Sequence, residues 1–477
     1  MRRKLPPVAG AASARPHHSI CRKMFEAMRN RLNRRLGPKA PAAGGILLAF
    51  ESPLTAQTIA ITGATVLTVV GDEVIENGTV IVRDGRIAAV GAGLAVPAGA
   101  TVVDARGKFV TPGLIAGMSN LGIVEVEGVN QTDDAVARAS PYSAAIDVAP
   151  SINPVSPPLA IDRLGGVTRA VIGPALAGSV FAGQGAIVSL ADVGPGGTIL
   201  MRGKAFQFAE LGEDGARVAG GSRAAAWLDL KNGLAEAQRF ARAPAGFDEG
   251  RSRNSLVKRL DAEALVLVVD GRMPLVVRVE RASDIVNVLG LRRDFPRLRL
   301  ILLGAREGWQ VADKIAAAGV PVITLSLFNL PDSFETLAST RSNVGRLTAA
   351  GVTVGFGLFG GDPGTQGRNL PYFAGNAVAQ AAVPGGVGLT RGQALAAITR
   401  NPARIFGLTD LGTLETGKRG DVIVWDGDPL ELTSAPTAVF IDGVAQPMVS
   451  RQTLLRDRYR DLARGALPLQ YPQGSPN

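Results

Sequence analysis

The sequence predicts an α/β protein: a (β/α)8 barrel carrying a composite β-sandwich domain built from both ends of the chain. Three observations lead there. Residues 57–112 read as short apolar strands separated by turn signals. Residues 113–407 then alternate near-continuous apolar runs with helical patterns, as expected of strands buried on both faces and covered by helices. From about Gly412 the strand-and-turn character returns, so the two terminal β segments are expected to pair with each other. The chain has 477 residues, 46% hydrophobic and 19% charged, enough for one large domain of roughly 250–300 residues and a smaller one.

In chain order, residues 1–56 form a basic leader. They hold eleven of the 51 Lys and Arg residues but only Glu26 and Glu51 of the 41 acids, a net of +9, which leaves about +1 for everything after. A near-neutral body offers no electrostatic footprint for a phosphate backbone, so nucleic acid is not an expected partner. The leader itself runs from RNRLNRRLG through APAAGGILLAF to ESPLTAQT. This positive, then apolar, then small-residue order predicts a signal peptide cut after Ala56 and a periplasmic product, although Leu54 is large for its position and Glu51 crowds the apolar run. The alternative is a basic extension from an early start codon, which would leave the protein cytoplasmic. No later run approaches the ~18 apolar residues of a membrane span. The sole cysteine, Cys21, lies in the leader, so a processed chain would have no disulfides or Cys-ligated zinc.

Residues 57–112 contain IAITGATVLTV, GTVIVRDGRIAAVG with Asp84-Gly85 as a hairpin turn, and ATVVDARGKFVTPG. In the barrel region, LRLILLG at 298–304, a helix from about Trp309 to Ala318, VPVITL at 320–325 and VTVGFG at 352–357 set the βα period. Their number favours a closed (β/α)8 TIM barrel over a doubly wound sheet. Residues 408–446 return to strands, with Asp426-Gly427 and Asp442-Gly443 as turns, and 447–477 read as a C-terminal helix and tail.

Several chemical motifs are excluded or weak. The only histidines, His17 and His18, are in the leader, so no Ser-His-Asp triad exists in the body. Gly355, Gly357 and Gly360 spell G-x-G-x-x-G but lack the acid about 20 residues on that a dinucleotide site requires. Ser255 and Lys258 form S-x-x-K without its companion motifs, in a charged helical context. The Gly-rich loop at 360–377 should overlie the barrel mouth, where Arg368, Asn369 and Tyr372 could meet an acidic or amide ligand or simply pack the rim.

The segments ITGATVLTVVGDEVIENGTVIVRDGRIAAVG, VVDARGKFVTPGLI, SINPVSPPLAIDRLGGVTRAVI, AGQGAIVSL and LTRGQALAAITRNPARIFGL, followed by GTLETGKRGDVIVWDGDP, resemble the amidohydrolase superfamily, nearest its imidazolonepropionase-like branch. The resemblance implies a barrel with one or two divalent metals, often zinc, at the C-terminal strand ends, hydrolysing C–N bonds through a metal-activated water. This sequence departs from the pattern at each matched ligand. Met118 and Asn120 stand for the His-x-His pair after the first strand, with Ala116 before them; Arg278 stands for the fifth-strand His; Gly304 and Ala305 for the sixth; Phe359 for the eighth-strand Asp.

A metal held by carboxylates alone would have only the scattered Glu280, Glu307 and Asp362. The expectation is therefore no cofactor, an ion pair from Arg278 to Glu280 or Glu307 where the metal would be, and a non-catalytic protein that binds a small molecule at the barrel mouth or a partner. That partner would be an active amidohydrolase or a second copy. The alternative is an active hydrolase of amides, cyclic amides or dipeptides using an atypical carboxylate-bound metal or none. As ordinary side chains, Met118 and Phe359 read as core, Arg278 as a satisfied charge and Asn120 as a strand-end hydrogen bonder.

Overall fold

A computed structural model describes residues 58–245, 257–327, 330–357 and 362–460. The leader with its histidines and Cys21, Ser255, Phe359, the Asp362 side chain and the tail after residue 460 lie outside the described residues.

The first sheet begins with β1 (Thr58–Leu67), β2 (Val74–Arg83) and β3 (Arg86–Ala92), an antiparallel meander. Asp84 and Gly85 join β2 to β3 with φ of 53° and 73°, the double positive φ of a type I′ hairpin, as the Asp-Gly signal predicts. β4 (Thr101–Asp104) and β5 (Phe109–Pro112) lie parallel to β1.

The chain leaves this sheet for the barrel and returns to it. β14 (Val422–Trp425) pairs antiparallel with β5, and β15 (Pro436–Ile441) and β16 (Val444–Ala445) extend the edge, giving the order β16-β15-β14-β5-β1-β2-β3. Buried Trp425 anchors the junction, its Nε1 donating to Thr111 Oγ1 at 2.9 Å. Asp442-Gly443 again makes the tight turn, with φ of 49° and 72°. Asp426-Gly427 instead opens a ten-residue connection, held where Asp426 Oδ1 accepts from Ala435 N at 2.7 Å.

The second sheet is nearly closed and barrel-like. Its strands are β6 (Leu114–Ser119), β7 (Val167–Ile172), β8 (Phe181–Ser189), β9 (Leu200–Glu210), β10 (Leu275–Val279), β11 (Leu300–Gly304), β12 (Val322–Thr324) and β13 (Val354–Phe356). They neighbour one another in sequence order, with none of the order reversal of a doubly wound sheet.

Uniform βα repetition fails at one place: β8 is antiparallel to both β7 and β9. The physical reason is connection length. Residues 173–180 and 190–199 are too few for a crossover helix, which needs a dozen or more residues, so the chain can only turn back. At the seam between β6 and β13 the backbones approach closely. A Cβ on Gly117 would lie 2.5 Å from the Phe356 carbonyl oxygen, and one on Gly357 would lie 2.7 Å from Met118 N.

The barrel interior is packed, not open. Ile115, Met118, Val171, Phe206, Phe208 and Val276 share one cluster, and the base is closed by Ile405, Phe406, Leu408 and Leu411. The helix Arg400–Ile405 and the turn after it bring that plug into place. No described helix is long and apolar enough to cross a membrane.

Candidate functional site

The barrel mouth is built by strand alternation. Phe206 and Phe208 face the interior from β9, so Glu210 at the strand end faces it too; Val276 faces it from β10, so Arg278 and Glu280 follow. Parallel register sets Arg278 directly opposite Glu210. Arg278 Nη1 lies 2.9 Å from Glu210 Oε1, and its Nε lies 3.5 Å from Glu280 Oε1. The Arg278 side chain is a quarter exposed, while those of Glu210 and Glu280 are buried.

The second oxygen of Glu280 accepts the Arg306 amide at 3.1 Å, and the Arg306 side chain reaches Asp332 at 2.6 Å. The mouth thus holds alternating charges running from Glu210 through Arg278, Glu280 and Arg306 to Asp332. Burial pushes the Glu210 carboxyl up to about 7 against the pull of Arg278, and the neighbouring carboxylates of Asp214, Glu280 and Glu335 add to the rise.

The expected Arg278–Glu280 contact is present, and Glu210 is the stronger partner that sequence reading missed. The signal existed: FQFAE alternates with period two and ends in an acid. Glu307 is placed differently. Its oxygens accept the amides of Ala282 at 3.2 Å and Ala338 at 3.0 Å, which caps the start of helix Ala282–Asp294 with negative charge. Gly304 explains itself: the Glu280 carboxylate occupies the space over it that any side chain at 304 would need.

The other expected positions are accommodated locally. Met118 is fully buried in the barrel core, and Ala116 is buried on the same strand. Asn120 Nδ2 donates to Gly173 O at 2.9 Å, and its backbone N–H donates to Gly364 O at 2.8 Å, tying the end of β6 to β7 and to the 360s loop. Arg368 lies against the fully buried Asp162, with Nη1 3.3 Å from Oδ1, while the Gly367 amide donates to the same carboxylate at 2.6 Å. Asn369 Nδ2 donates to Gln366 Oε1 at 3.0 Å. These contacts hold the loop to helix Pro157–Leu164 and do not join Arg368 or Asn369 to the Arg278 cluster, because a buried carboxylate draws in the nearest guanidinium.

Two cavities open at this end. A hole of about 30 Å³ beside Arg278, Glu280, Gly304 and Thr324 has room for little more than a water. A larger cleft of about 270 Å³ lies next to Asn120 and is lined by Glu127, Asn130, Asp133, Arg138 and Thr365.

The described donor set at the mouth does not suit a divalent metal. Among the described residues no three of His, Cys, Asp and Glu are grouped to hold an ion. The two inward carboxylates, Glu210 and Glu280, are bridged by a guanidinium that a cation would have to displace.

Residues 302–453 match the sequence model of the amidohydrolase family. Over 406 residues the chain is 23% identical to the amidohydrolase tasK of Hapsidospora irregularis, covering 79% of this chain and 40% of that one. Over 97 residues it is 38% identical to a 5-methylthioadenosine/S-adenosylhomocysteine deaminase of Desulforudis audaxviator, covering 20% of this chain and 23% of that one. It therefore spans less than half the length of these curated relatives. An amidohydrolase from Thermotoga maritima MSB8 shares the fold, with a TM-score of 0.70 at 22% identity over 81% of this chain and 99% of its own.

Proposed function

We propose that this chain, a member of the amidohydrolase superfamily, uses its barrel mouth for binding and not for metal-assisted hydrolysis. One observation carries the reading: Arg278 sits between Glu210 and Glu280 at the strand ends, over a Gly304 whose side-chain space Glu280 fills. Fixed positive charge thereby balances the inward carboxylates, a task a bound dication would otherwise perform. Met118 adds apolar packing beneath.

The cleft beside Asn120 then supplies the ligand site. Its carboxylates, amide groups and Arg138 suit a small polar molecule, and its volume limits the size. An active relative or a second copy is the proposed partner, and export through the leader the proposed destination.

The test is hydrolysis of a panel of amides, lactams and dipeptides with and without chelator. The reading expects no turnover above background in either arm; chelator-sensitive turnover refutes it.

A second reading rests on Glu210. A buried carboxyl titrating near 7 at a barrel mouth is matched to proton transfer at neutral pH. In that case turnover would be chelator-insensitive and abolished by Glu210→Gln.

A further inference from the structure

We propose a second binding site, for a small multivalent oxyanion, at the opposite end of the barrel. At the N-terminal ends of β10 to β13 a cavity of about 370 Å³ is lined by Arg292, Arg299 and Arg404, with Pro274, Pro321 and Gly351 among its walls. No carboxylate among the described residues lines it. Among the described residues the guanidiniums of Arg299 and Arg404 make no ion pair or hydrogen bond; their backbone carbonyls accept from Leu275 N and Gly407 N, and both residues are exposed. Arg292 donates from Nη1 to Ala318 O at 2.6 Å, but its Nε is buried with no partner.

Three guanidiniums around one cavity repel one another, and a buried donor without an acceptor costs free energy. An oxyanion offsets both effects. Guanidinium forks match phosphate and carboxylate oxygens in pairs, and three of them suit a ligand with two or three negative charges. The volume suits a small molecule such as a phosphate ester or a polycarboxylate.

The neighbouring basal cavity, about 660 Å³, shows what a satisfied set of arginines looks like. There Arg86, Arg169 and Arg419 meet Asp410, Asp421 and Asp442, and Arg202 donates to the carbonyls of Phe406 and Gly407. Among the described residues each guanidinium lining that cavity has a partner, whereas the 370 Å³ cavity has two guanidiniums, of Arg299 and Arg404, with none.

Isothermal titration of the full chain with inorganic pyrophosphate and with citrate, at low ionic strength, tests the site. Saturable one-to-one binding of at least one probe is expected, weakened about ten-fold or more in the R299A/R404A double variant because both fork contacts are lost. Both side chains are exposed, so the far-UV spectrum of the variant should match the wild type. R106A, in the turn between β4 and β5 and outside the lining of the cavity, should bind as the wild type does. The tighter probe identifies the ligand as phosphate- or carboxylate-bearing. Absence of saturable binding of either probe, or equal binding by the double variant, overturns the proposal.

Discussion

Two arginines inside the same barrel each lie between two carboxylates, yet they differ in what they can do. Arg169, inward from β7 near the base, donates from Nε and Nη2 to both oxygens of Asp421 at 2.7 Å, and Nη2 also reaches Asp442 at 2.9 Å. It is almost fully buried and joins the barrel to the strands at the C-terminal end of the described chain. Arg278 at the mouth has one short contact and one long one, and a quarter of its side chain meets solvent.

The bidentate geometry at the base repays desolvation for Arg169, which is raised above its ordinary pKa because Asp421 and Asp442 together outweigh burial. The looser geometry at the mouth does not fully repay it, so Glu210 is left near 7. Tight pairing makes a fastener, and loose pairing leaves a group free to respond to ligand or pH.

The largest expected effect tests the fastener. Arg169→Met leaves Asp421 buried and unpaired, and should cost about 3–5 kcal/mol in denaturant unfolding. A loss below about 1 kcal/mol would remove the distinction between the two ends. Arg278→Met should cost less, about 1–3 kcal/mol at pH 8, and less again at pH 6, where Glu210 can take up a proton; a loss equal to that of Arg169→Met would put the two triads in one class.

The pH dependence of Glu210 has a definite sign. Its folded pKa is raised from 4.5 to about 7, so the folded state holds the proton more tightly than the unfolded state. The stability this contributes is complete below pH 4.5 and is lost as pH rises through 7. Glu210→Gln cannot lose a proton, so it should gain on the wild type by about 1–3 kcal/mol between pH 5 and pH 8. Asp162, also raised to about 7 by burial, is present in both proteins and cancels in the difference. A flat difference across that range would place Glu210 outside the account. The smallest effect is expected for Asn120→Ala, about 1 kcal/mol from the lost bond to Gly173 O, with the charge cluster undisturbed.

Much of this was legible in the sequence because it depends on local rules. Asp84-Gly85 and Asp442-Gly443 require positive φ and make the turns they signal, and the runs around Leu300, Val322 and Val354 become successive parallel strands. The reversal of β8 was also written in its short connections, but apolar continuity hides strand direction. At the mouth, period-two alternation carried Arg278 and Glu280 to one face. Glu210 went unread because its partner lies 68 residues away and only sheet register brings them together. The engagement of Arg368 by Asp162, 206 residues apart, is tertiary in the same sense.

The most direct test of the central claim, that an arginine-bridged carboxylate pair stands at the mouth where a metal centre would be, is metal stoichiometry after equilibrium dialysis of the purified chain against zinc and then against metal-free buffer. The account predicts a substoichiometric metal content in wild type. One tightly retained divalent ion per chain, lost together with hydrolytic activity on chelation, would contradict it.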